Sequence, residues 1–222
     1  GVRVGDLVEQ YGSPLFVYSE RALRRRFHQL RTAFTTRYPR VEFGWSYKTN
    51  YLKAICSLMH QEGASAEIVS QMEYEKAKEL GVPGDRIIFN GPHKPFEVLM
   101  RAVLDGVVIN VDHLDEIDDL ERIADRLGRV IEIGIRLNMD VGIYPQWSRF
   151  GFNLESGQAL DAVLAFELMA ADHALDEHRL TLMKVARAEL RLLPPDDYAM
   201  PLRLRVVLGP LASGLGVDLR AS

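Results

Sequence analysis

From Val41 onward, short β-rich runs alternate with longer amphipathic stretches, a pattern that few architectures accommodate. The strand candidates are Val41–Lys48, Ala64–Ser70, Arg86–Asn90, Val107–Asp112 and Val130–Asn138. They start about 20 to 24 residues apart, the length of one βα unit. Such a run predicts a parallel sheet whose strands are connected by helices.

Alternation inside the strands narrows the choice. Successive side chains of a strand point to opposite faces, so Val41, Phe43, Trp45 and Tyr47 share one face while Glu42, Gly44, Ser46 and Lys48 share the other. The split recurs as Ile131, Ile133, Ile135 and Leu137 against Glu132, Gly134, Arg136 and Asn138. An open doubly wound sheet is covered by helices on both faces and tends toward continuous apolar runs. One apolar and one glycine-rich polar face favours a closed (β/α)₈ barrel of the TIM type. The chain has 222 residues, short of the roughly 250 typical of such a barrel, so the expectation is a barrel that is incomplete.

The intervening helices carry start and stop signals. Ser70 with Glu73 forms a capping-box candidate ahead of Met72, Ala77 and Leu80, and Gly81 stands where a C-terminal glycine cap belongs. Leu114, Ile117, Leu120, Ile123, Ala124 and Leu127 recur at helical spacing up to Gly128, predicting an amphipathic helix capped by Asp112. Pro95 suits a first helical position. Arg24, Arg25 and Arg26 alternate with Leu23, Phe27 and Leu30 at helical spacing, which reads as a solvated helix face rather than a phosphate track.

The strand ends gather polar residues: Lys48, Glu67, Asn90, Asp112, Arg136 and Asn138. Barrel active sites lie at that edge. A terminal polar residue often only caps the next helix, and that reading is preferred for Asp112. It does not explain Lys48, because lysine caps no helix N-terminus. Burying its ammonium without partners costs several kcal/mol, roughly, so on the inner face it should serve a ligand or an acid.

Composition excludes several classes. No apolar run approaches the roughly 20 residues of a membrane span, no secretory signal pattern opens the sequence, and a formal net charge of −4 offers nothing to nucleic acid phosphates. Cys56 is the only cysteine, consistent with a reducing, cytoplasmic location. His28, His60, His93 and His113 have no metal-ligand spacing and are read as surface or packing residues, so no metal is expected.

Six stretches occur in the order and spacing of one known family. They are Tyr11-Gly-Ser-Pro-Leu-Phe-Val-Tyr18, Trp45-Ser-Tyr-Lys-Thr-Asn50, Ala66-Glu-Ile-Val-Ser70 with Glu73, Ile87-Ile-Phe-Asn-Gly91 with Lys94, Ile135-Arg-Leu-Asn138 and Ser148-Arg-Phe-Gly-Phe152. Over about the first 155 residues the chain resembles the fold-type III pyridoxal-phosphate-dependent decarboxylases, such as diaminopimelate and ornithine decarboxylases. The resemblance implies that Lys48 holds pyridoxal 5'-phosphate as a Schiff base. It implies that Glu67, a methylene longer than the family's usual aspartate, lies near the cofactor, and that Arg136 lies close to its ring. With Asn138 these make the implied cofactor set, and Ser46, Asn90, Lys94 and Arg149 are implied to line the site. The implied activity is decarboxylation of an amino or diamino acid by a homodimer. Lys48 would need a lowered pKa, which Arg136 would favour and Glu67 oppose. A non-catalytic cofactor-binding protein of the same fold and an amino-acid racemase are the alternatives.

After Phe152 the resemblance fades. The family's cofactor-stacking histidine, its glycine loop for the phosphate, the acid for the pyridine nitrogen and the cysteine element have no secure counterparts. His173 and His178 lie in a helix-like stretch from Phe166 to Leu193. The tail from Arg203 carries Gly209, Ser213, Gly214 and Gly216 and is read as a terminal turn rather than a phosphate cradle. Residues 1–40 are thus expected to form a strand and helix leading into the barrel, residues 41–200 a partial cofactor-binding barrel, and 201–222 the start of a C-terminal β-domain. Omitted segments, truncation and a degenerate relative are the competing reasons for the missing half, the first being favoured. An incomplete barrel leaves strand edges unpaired and would need a partner.

Overall fold

A computed structural model describes residues 2–38, 40–129, 131–139, 150–163 and the backbone of 205–208. Two helices come first, α1 (Val4–Tyr11) and α2 (Glu20–Thr35), with no strand among the described residues before β1 (Gly44–Ser46). Then follow α3 (Lys53–Gln61), β2 (Ser65–Ile68), α4 (Gln71–Glu79), a 3₁₀ turn (Gly84–Arg86), β3 (Ile87–Phe89), α5 (Phe96–Leu104), β4 (Val108–Val111), α6 (Asp115–Leu127) and β5 (Ile131–Ile135). Three short strands end the series: β6 (Leu137–Asn138), β7 (Phe152–Asn153) and β8 (Arg205–Leu208).

The five expected strands are all present, each shorter than its β-rich run. Strands β1 to β5 lie side by side in chain order, every neighbouring pair parallel. Registers Ser46↔Glu67, Phe89↔Ile109 and Asn110↔Gly134 align the strand ends along one edge. The β5 edge is covered by β8, which runs antiparallel to it. Among the described residues the sheet is an α/β parallel sheet with flanking helices, running from β1 to β8 without closing, as in part of a TIM-type barrel.

One face of this sheet makes the core. Ala66, Ile68, Ile87, Phe89, Ile109, Val111, Ile131, Ile133 and Ile135 are buried in one cluster with apolar residues of α4, α5 and α6. Of these, Ile131, Ile133 and Ile135 are residues that alternation assigned to the apolar face. Tyr47 joins them, fully buried. Each large aliphatic or aromatic side chain so buried contributes about 1.5–3 kcal/mol. A smaller cluster of Leu58, Met59 and Ala64 receives Leu23 and Phe27 from α2. Arg24 on that helix does more than face solvent: it pairs with Glu20 at 2.8 Å and with Glu62 beyond the end of α3.

Three local expectations need correction. Asp112 does not cap α6: the helix begins after Leu114 with no side-chain cap, because the Asp112 carboxylate is taken by Arg136 at 2.7 Å. Leu114, expected on the buried face, is exposed, since it precedes the first helical turn and so escapes the helical periodicity. The expected single strand Val130–Asn138 divides at Arg136, and Leu137–Asn138 pairs with Phe152–Asn153 in a separate two-stranded sheet. The break occurs where Arg136 turns its carbonyl to the N–H of Phe152 at 2.8 Å. Ser70 does cap α4, accepting from the Glu73 N–H at 3.3 Å. Gly128 ends α6 in the left-handed region at φ 58°. Pro95 lies one position before the first residue of α5.

Candidate functional site

Lys48 stands in the turn that follows β1, and every residue of Trp45–Asn50 except Lys48 helps to hold that turn. The Tyr47 N–H donates to the Glu67 carbonyl at 3.0 Å and the Thr49 N–H to the Ser46 carbonyl at 3.2 Å. Thr49 Oγ1 donates to the same Ser46 carbonyl at 2.7 Å, and the Trp45 indole to the Asn50 carbonyl at 3.0 Å. Beneath it the Tyr47 hydroxyl meets His60 Nε2 at 2.7 Å, and His60 Nδ1 meets the Ala64 carbonyl at 2.8 Å. Burial pushes the Tyr47 phenol above its ordinary range and pulls His60 below its own. A neutral imidazole that donates from Nδ1 and accepts at Nε2 satisfies both contacts.

With its turn fixed from behind, Lys48 projects on the polar side of the sheet. Its side chain is 55% exposed, and its Nζ lies 3.9 Å from Glu67 Oε1. Glu67 is only 17% exposed and both carboxylate oxygens are engaged, Oε2 by the Ser46 hydroxyl and Oε1 by Asn90 Nδ2 at 2.8 Å. Asn90 Oδ1 in turn accepts from Asn110 Nδ2 at 2.6 Å. A hydrogen-bonded line therefore crosses β1 to β4 on the face opposite the core.

A second polar group sits where β4 and β5 end. Arg136 donates to Asp112 Oδ1 at 2.7 Å and lies 5.0 Å from the centre of the Phe150 ring. Beside it, Glu116 accepts from the Asp112 N–H at 2.8 Å and from Lys94 Nζ at 2.8 and 3.0 Å. Lys94 also donates to the Gly91 carbonyl at 2.7 Å, and its side chain is fully buried. Burial draws the Lys94 ammonium below the usual lysine range, while the Glu116 carboxylate opposes that shift. Its donors are therefore turned into the protein, under the loop that carries Asn90. Asn138 Nδ2 donates to the Phe150 carbonyl at 3.2 Å, tying β6 to the segment entering β7.

Of the residues singled out in the sequence, Ser46, Lys48, Glu67 and Asn90 thus form one bonded group, and Lys94, Arg136 and Asn138 lie around the ends of β4 and β5. Arg149 falls outside the described residues, as do Ser148, His173, His178 and the tail from Gly209. Sequence reading overlooked Asn110 and understated Asp112. Asn110 in β4 and Asp112 just beyond it are two residues apart and so fall on one face, and that signal was open to reading.

Over residues 20–172 the chain matches the family described as "Pyridoxal-dependent decarboxylase, pyridoxal binding domain" and belongs to that family. It is 34% identical over 167 residues to the diaminopimelate decarboxylase of Aquifex aeolicus, covering 71% of this chain and 39% of that protein. It is 31% identical over 179 residues to the Bacillus subtilis diaminopimelate decarboxylase, covering 75% and 41%. A solved structure of the M. jannaschii diaminopimelate decarboxylase in co-complex with L-lysine superposes with a TM-score of 0.65 at 29% identity, covering 72% of this chain and 40% of that one. The chain spans about two fifths of the length of these relatives.

The residues present fit pyridoxal phosphate at its aldehyde end. A half-exposed amine and a braced carboxylate stand together on an open polar face, and Gly44, register partner of Ser65 one step back along β1, adds no side chain there. No residue that would hold the phosphate is identified among the described residues.

Proposed function

We propose that Lys48 is the amine that takes the aldehyde of pyridoxal 5'-phosphate, and that the chain supplies the cofactor-bearing region of an amino-acid decarboxylase. The observation that carries this reading is the pairing of Lys48 with a carboxylate whose other contacts are already fixed. When bound, the cofactor supplies an electron sink that lets the Cα–carboxylate bond of an amino acid break. Glu67 holds the Lys48 amine in place and can accept or return its proton. Arg136, anchored by Asp112, contributes fixed positive charge at the strand-end edge. Asn138 ties β6 to Phe150. Arg149 is proposed to line the mouth from sequence alone.

The substrate class proposed is a diamino acid, following the diaminopimelate decarboxylases to which the chain is similar. Closure of the sheet into a barrel, assembly as a homodimer and a cytoplasmic home belong to the same reading. The buried, unpaired Cys56 suits a reducing compartment.

Borohydride trapping with peptide mass mapping tests the assignment: a phosphopyridoxyl adduct is expected on Lys48 and should disappear in Lys48→Ala. An adduct on any other residue overturns it. Carbon dioxide release from a panel of diamino acids then tests the activity. Adduct formation with no release would select a non-catalytic cofactor-binding protein, and loss of chirality without release a racemase.

A further inference from the structure

The polar line on the inner face has a direction. Asn110 donates to Asn90, and Asn90 donates to Glu67, so both amides turn their N–H ends toward the carboxylate. Linked donors polarise one another, and the last bond, to an ionised group, is the strongest. We propose that Asn110 is a positioning residue of the cofactor site, acting through Asn90 to hold the Glu67 carboxylate in the orientation that faces Lys48. The inference rests on the reading of Lys48 as the cofactor amine and extends it to a residue two strands away from Glu67.

Three further observations bear on it. Glutamate has more rotatable bonds than the site needs, and a side chain so placed keeps one orientation only when its oxygens are held. Here Ser46 takes Oε2 and Asn90 takes Oε1. Asn110 is a poor choice for a mid-strand position on propensity alone, and a partly buried amide is costly unless bonded. Finally, β5 leaves room for it: a Cβ added at Gly134, the register partner of Asn110, would run into Asn110 Oδ1. Gly134 therefore permits the conformation in which Asn110 reaches Asn90.

Asn110→Asp tests the proposal with almost no change in shape. Above the carboxylate range its side chain can only accept, so Asn90 must turn its Nδ2 toward residue 110 and present its oxygen to Glu67. The readout is the rate at which Lys48 captures pyridoxal phosphate, followed by timed borohydride quenching and peptide mass mapping across pH. Near neutrality Asn110→Asp should slow capture about tenfold relative to the unsubstituted chain, the size of one hydrogen bond to a charged group. That ratio should return toward unity as acid protonates Asp and restores its donor. Gly134→Ala, which displaces Asn110 without altering a polar group, should slow capture at every pH. Equal or faster capture in both variants, with the adduct still on Lys48, overturns the role of Asn110 alone. An adduct on another lysine in the unsubstituted chain overturns the underlying assignment of Lys48.

Discussion

His60 shows how one side chain can make the Lys48 turn sensitive to pH. Its ring bridges the buried Tyr47 hydroxyl and the Ala64 carbonyl, and burial, aided by Arg86, holds its pKa below the ordinary 6.5. The unfolded chain therefore takes up the proton first. Stability conferred by the neutral ring is fully present above 6.5 and lost as pH falls through the lower folded-state value. The urea midpoint is expected to drop between about pH 7.5 and about pH 5.5, and His60→Gln should remove part of that slope. The sequence offered no sign of this role. A lone histidine reads as packing or surface until its partners are known, and Tyr47, thirteen residues earlier, reaches it only because α3 packs back against β1.

At the scale of elements, one device recurs at two of the strand-to-helix junctions. Near the end of β2, the Val69 N–H donates to Glu73 at 2.6 Å, and after β4 the Asp112 N–H donates to Glu116 at 2.8 Å. In each case a glutamate in the first turn of a helix reaches back four residues and fixes the angle at which strand gives way to helix. Burial raises the Glu73 carboxyl, with the Val69 bond opposing the shift. Glu116 carries the additional Lys94 pair, so Glu116→Ala leaves an ammonium buried without its counter-charge. Removing one partner of such a pair costs about 3–5 kcal/mol. Urea unfolding should show a loss of that order for Glu116→Ala. Replacing Lys94 by Met in the same chain should recover much of it, since the stranded charge is then gone. The Ser70 cap was legible because the hydroxyl and the Glu73 N–H it accepts from lie within one turn, although the Glu73 carboxylate takes the Val69 N–H instead of closing the expected capping box. The engagement of Asp112 was not, because a carboxylate at a strand end serves equally as a cap or as an ion-pair partner. Arg136, twenty-four residues later, made the choice.

Across the whole molecule the parallel sheet has two unlike faces. The helix-covered face is apolar and closed to solvent, while the opposite face carries Lys48, Glu67, Asn90 and Asn110. The β1 edge has no strand beside it among the described residues. Amide hydrogen exchange is accordingly expected to be slowest in β2, β3, β4 and β5, each paired on both sides, and faster in β1. Mass spectrometry of peptic peptides measures this, and equal protection of β1 and β3 would show that another strand covers that edge. The alternation of apolar and polar residues in Val41–Lys48 and Ile131–Asn138 determined which face of those strands would be buried, because a period of two is a local property of extended backbone. The interval between strands likewise determined that they would lie parallel, with Lys48 at their C-terminal edge. Only the tertiary structure decided which polar residues join one another. The line from Asn110 through Asn90 to Glu67, and the capture of Asp112 by Arg136, depend on strand register, and register is set by packing between segments twenty or more residues apart.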